Sequence, residues 1–65
     1  MSPADRATEV TALLEEAEAL ATLANEYASR GATVKANELR LQAKDHKDRA
    51  ARLALEGVQL SERSR

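Results

Sequence analysis

Ala24-Asn25-Glu26-Tyr27-Ala28-Ser29-Arg30-Gly31-Ala32-Thr33-Val34-Lys35-Ala36 joins two runs of one seven-residue pattern and places a glycine between them. Upstream, Val10, Ala17 and Ala24 alternate with Leu13, Leu20 and Tyr27. Downstream, Ala36, Ala43, Ala50 and Gly57 alternate with Leu39, His46, Leu53 and Leu60. Alternating steps of three and four residues keep side chains on one helix face. Gly31 suits the left-handed residue that ends a helix, and Thr33 is expected to cap the next one. At the other end, Ser2 can cap, Pro3 suits the first helical position, and Asp5 completes a capping-box variant. The reading is an all-α chain in one domain over 1–65: helix 3–30, turn 31–32, helix 33–60, and a polar tail 61–65.

Two long helices joined by so short a turn must run antiparallel. Folding about Gly31 sets Tyr27 near Ala36, Leu20 near Ala43, Leu13 near Ala50 and Val10 near Leu53. Small residues on each helix then face large ones on the other, which allows close approach of the axes. The charges agree: residues 1–30 hold six acids and two bases, residues 31–60 four acids and six bases. Pairs Glu26/Arg30, Asp45/Arg49 and Asp48/Arg52 have the favourable order for contacts along one helix.

The apolar set is poor in volume, with fourteen alanines, nine leucines and three valines and no Phe, Trp or Ile. Ordering costs about 1–2 kcal/mol per residue, and alanine seams return little against it at about 25 cal/mol per Å². Small scaffolds in this position rely on disulfides, a metal or self-association. With no cysteine the first is excluded, and so are thiolate metal sites. Self-association into a four-helix bundle, as a homodimer or tetramer, is the expectation. Apolar residues outside the seam supply a second face. These are Leu14 and Leu23 on the first helix, and Val34, Leu41, Ala51, Leu55 and Val58 on the second.

Residues 17–43 resemble a single tetratricopeptide motif. Leu20, Leu23-Ala24 and Tyr27 hold its first-helix positions, Gly31 its turn glycine, and Ala36 and Ala43 its small second-helix positions. Arg40 stands where the motif has an aromatic, no proline ends the second helix, and such repeats usually occur in groups. The resemblance implies a helix-turn-helix that binds other proteins and has no catalytic role. In size and architecture alone, the chain is also similar to small plasmid copy-number hairpins that dimerise and bind paired RNA loops.

His46 is the only histidine. A di-iron-type helix would need Glu where Ala43 stands, and positions 42, 49 and 50 offer Gln, Arg and Ala, so no metal is expected. His46 reads instead as a register or pH-sensitive residue, either within the seam or tilted to its edge near Glu16. If it were buried and neutral, stability would fall with acidification. Glu15, Glu16 and Glu18 read as a solvated face, because two bare helices offer no cleft for paired carboxylates. There is no nucleophile elbow and no phosphate loop.

Arg40, Lys44 and Lys47 form a basic stripe that could track phosphates. Asp45 and Asp48 dilute it, and aromatics for base stacking are lacking. The N-terminus lacks the apolar run of a signal peptide, and no segment is long enough to span a bilayer. The expectation is a cytoplasmic, non-enzymatic protein–protein interaction module: a regulator, inhibitor or assembly adaptor. It would have no cofactor, membrane or small-molecule partner. The alternatives are a nucleic-acid-binding regulator and a structural piece of a larger assembly.

Overall fold

A computed structural model describes residues 2–63, with side chains as far as Val58. The expected seam role of Leu60 and the last tail residues, Ser64 and Arg65, lie outside what it describes. Helix α1 runs Pro3–Ser29 and helix α2 runs Thr33–Arg63, with no strand among the described residues. The hairpin is a rod, 53 × 15 × 12 Å. Its radius of gyration of 15.1 Å exceeds the roughly 11 Å of a compact chain this long.

The start of α1 follows its local chemistry. Ser2 is extended, and its Oγ accepts from the Asp5 N–H at 3.2 Å. Pro3 takes the first helical position, where its missing N–H costs nothing. Only half of the expected capping box forms. No bond from the Asp5 carboxylate back to the Ser2 N–H occurs among the described residues.

The turn is a Schellman motif. Arg30 is the C-cap and Gly31 follows at φ +83°. The Gly31 N–H donates to Ala28 O at 3.0 Å and the Ala32 N–H to Tyr27 O at 2.9 Å, satisfying two end carbonyls of α1. α2 begins at Thr33, where it was expected, but Thr33 is not its cap. Thr33 is its first residue, and the carbonyl of Ala32 already accepts from the Ala36 N–H at 3.0 Å. Ala32 therefore takes the N-cap position expected for Thr33, because one residue must serve both the end of α1 and the start of α2. At its far end α2 passes position 60 and reaches Arg63, through residues expected to be a frayed tail. Nothing in Ser61-Glu62-Arg63 breaks a helix.

The core is the predicted seam. Leu13, Ala17 and Ala24 of α1 and Ala36, Leu39, Ala43 and Ala50 of α2 are buried. Val10, Leu20, Tyr27, Leu53 and Gly57 are half-buried along its edges. Ala17, Ala24 and Ala36 expose nothing, so the smallest side chains of the seam are fully covered. Of the expected pairs along one helix, Asp45 meets Arg49 at 3.3 Å. Glu26/Arg30 and Asp48/Arg52 are not among the ion pairs of the described residues, where Lys35 and Glu38 approach to 4.0 Å.

Candidate functional site

Two features on this rod could carry function: the groove beside His46 and the outward face of α2. The groove follows from the seam. Leu20 and His46 occupy large-residue positions on facing helices, and Glu16, Leu23 and Gln42 flank them. With Ala19 they line an open depression of about 400 Å³. His46 stands at the seam edge with 23% of its side chain exposed, not deep within it. Its Nδ1 lies 2.8 Å from the carbonyl oxygen of Gln42, one turn back. Its Nε2 lies 3.0 Å from Oε2 of Glu16 on the opposite helix.

A carbonyl oxygen only accepts, so Nδ1 carries a proton in the Gln42 contact. Nε2 then donates to the Glu16 carboxylate only when both ring nitrogens are protonated. Of the two placements expected for His46, the structure has the ring at the seam edge near Glu16, with both of its nitrogens facing oxygens. The Gln42 contact was missed because it depends on the ring's rotamer. Glu16 was legible, since the antiparallel register brings it opposite His46. Among the described residues no group of three or more His, Cys, Asp or Glu is gathered as metal ligands. No described helix is long and apolar enough to cross a membrane.

The outward face of α2 carries the remaining sequence-predicted residues. Val34 is 75% exposed, Leu41 68%, Leu55 57% and Val58 55%. Ala51 is exposed on the same side. Helical geometry places this row roughly opposite the hairpin seam. Leu14 and Leu23 are also exposed, but on opposite flanks of α1, so the fold does not bring them into one patch with that row. Arg40, Lys44 and Lys47 are exposed, and none is ion-paired among the described residues. Arg40 Nη1 donates to Asn37 Oδ1 at 3.4 Å.

A further feature escaped sequence reasoning. Arg6 lies across Gly57 at the open end of the hairpin, and its Nε is buried without a hydrogen-bond partner among the described residues. The sequence marks Gly57 only as a small seam residue. No signal in the sequence marks which side chain fills the space it leaves.

No family model, no curated protein and no solved structure matches this chain. The tetratricopeptide likeness of residues 17–43 therefore rests on the residues named above alone.

Proposed function

We propose that this chain is a non-enzymatic protein-interaction module that works as a self-associated helical hairpin. The observation that carries the reading is the exposed apolar row Val34, Leu41, Leu55 and Val58 on α2. Single exposed leucines are ordinary, whereas a periodic row along one helix is the form of a partner face. The surface area points the same way. The chain exposes 4916 Å², against about 4,100 Å² for a compact monomer of 7.1 kDa, an excess of roughly 800 Å². That excess is about what one partner contributes to a standard protein interface. Pairing of two hairpins would make a four-helix assembly and add the burial that an alanine seam lacks.

Sedimentation equilibrium of the full chain across micromolar concentrations tests the reading. A reversible dimer or tetramer supports it. A folded monomer throughout would refute it.

The second reading is a nucleic-acid-binding regulator, favoured by the three exposed bases Arg40, Lys44 and Lys47, none of them ion-paired among the described residues. Binding through phosphates weakens steeply with salt. A gel shift with RNA and DNA at low salt distinguishes the readings, because a protein module leaves the nucleic acid unshifted.

A further inference from the structure

We infer that the outward row of α2 is the seam of a two-fold dimer, in which α2 of one copy runs antiparallel to α2 of a second copy in one defined register. This rests on the self-association proposed above and names the face and alignment. The face consists of Val34, Leu41, Asp48 and Leu55, each followed three residues later by Asn37, Lys44, Ala51 and Val58. All eight are exposed. Such a three-and-four pattern pairs antiparallel by setting one row against the other row of its partner. The helices can then slide only in steps of a heptad.

One alignment is chemically complementary. It sets Val34 on Val58 of the second copy, Leu41 on Ala51, Asn37 on Leu55, and Lys44 on Asp48, each pair occurring twice. Large again meets small, as in the hairpin seam, and the one base of the face meets its one acid. A shift by a heptad in one direction puts Lys44 on Leu55 and Asp48 on Ala51, leaving two charges against apolar groups. A shift in the other direction puts Leu41 on Lys44 and Asn37 on Asp48, and leaves Leu55 and Val58 uncovered. Charges desolvated without a partner are strongly disfavoured, so the first register wins.

The ion pairs of the hairpin support this choice. Lys35, Asp45 and Arg49 find partners within α2, at 4.0 Å for Lys35 and 3.3 Å for the Asp45–Arg49 pair. Lys44 and Asp48, which lie on the outward face, are in no ion pair among the described residues. The paired stretch from Val34 to Val58 is about 36 Å long. Lys47 meets its own counterpart near the axis, but at an exposed rim where salt screens the repulsion. The resulting assembly is a flat layer, α1–α2–α2–α1, not a square bundle.

The test compares wild type, Lys44→Asp, Asp48→Lys and the double exchange by sedimentation equilibrium, with circular dichroism confirming that each is helical. Each single change turns two attractive pairs into two like-charge pairs, and dimer Kd is expected to rise about tenfold or more. The double exchange restores both attractions and is expected to bring Kd back to within about threefold of wild type. A wild-type dimer whose single variants are unaffected, or whose double variant stays weak, overturns this register and leaves self-association standing. A monomeric wild type overturns both. As a second readout, Leu41→Cys protein is mixed with Ala51→Cys protein. The chain has no cysteine, so only introduced thiols can bridge. Faster formation of the mixed disulfide than of either like pair supports the register, and the reverse order overturns it.

Discussion

Replacing Gly57 with alanine is expected to stabilise this protein, although Gly57 lies in the tightly packed seam. Two terms decide the sign. Glycine inside a helix costs about 1 kcal/mol relative to alanine, and Gly57 lies well within α2, which runs Thr33–Arg63. Against this, a Cβ at position 57 would sit 3.2 Å from Arg6 Cδ, 3.6 Å from Nη1 and 3.9 Å from Nε. The closest contact must open by a few tenths of an ångström. The neighbour is a half-buried, flexible arginine side chain, not backbone, and its Nε has no hydrogen bond to lose among the described residues. That movement costs less than the helix gains. The net expectation is about 0.5–1 kcal/mol of added stability, or roughly 2–8 °C in Tm for a domain of this size.

The assay is thermal unfolding followed by circular dichroism, with every variant at one chain concentration so that association does not masquerade as stability. In an Arg6→Ala background the contact is gone, and Gly57→Ala should deliver the full value of about 1 kcal/mol. Gly31 is the control. A Cβ there meets nothing within 4 Å, yet its φ of +83° belongs to the left-handed region. Gly31→Ala should therefore cost about 1–2 kcal/mol in both backgrounds. A loss of stability from Gly57→Ala that persists in the Arg6→Ala background would refute the reasoning, because the contact could not then be its cause.

Ala32→Asp places a capping side chain where α2 lacks one, and is expected to raise stability by about 1 kcal/mol in urea unfolding at pH 7. Ala36→Leu puts a large side chain where no surface is exposed, and is expected to cost about 1–3 kcal/mol by forcing the helices apart; an unchanged urea midpoint would contradict the close seam. A double-mutant cycle on Glu16 and His46, using Glu16→Gln and His46→Gln, is expected to show coupling of about 0.2–1 kcal/mol in urea unfolding, and no measurable coupling would contradict the contact. Glu16 is 62% exposed, which limits the magnitude, and the pair carries opposite charges only when the ring is protonated.

The hairpin was legible because its signals are local and repeat. Ser2-Pro3 starts a helix, Gly31 ends one, and the seven-residue alternation marks the same face on both sides of the turn. Each is a property of neighbouring residues, so none needs the fold to be known. The antiparallel register followed from turn length alone, and through it the approach of Glu16 to His46.

The misses share a cause. Thr33 carries the better capping side chain, yet Ala32 holds the position, because the short Schellman turn makes Ala32 serve both the end of α1 and the start of α2. Asp48/Arg52 has the right order for a pair along α2, but Asp48 belongs to the outward row and is not ion-paired among the described residues. Arg6 fills the space beside Gly57 across 51 positions of sequence, a meeting that no local rule encodes.

Backbone preference and periodic hydrophobicity account for the all-helical state, the turn, the small-against-large seam, the poverty of the core and the outward row from Val34 to Val58. When the alanines of α2 turn inward against α1, its leucines and valines on the far side must turn outward. Tertiary packing settles which particular atoms meet. It turns the His46 ring towards the Gln42 carbonyl, gives the cap to Ala32 and lays Arg6 over Gly57. These meetings depend on rotamers, on one residue shared by two helix ends and on positions far apart in the chain, none of which a seven-residue period encodes.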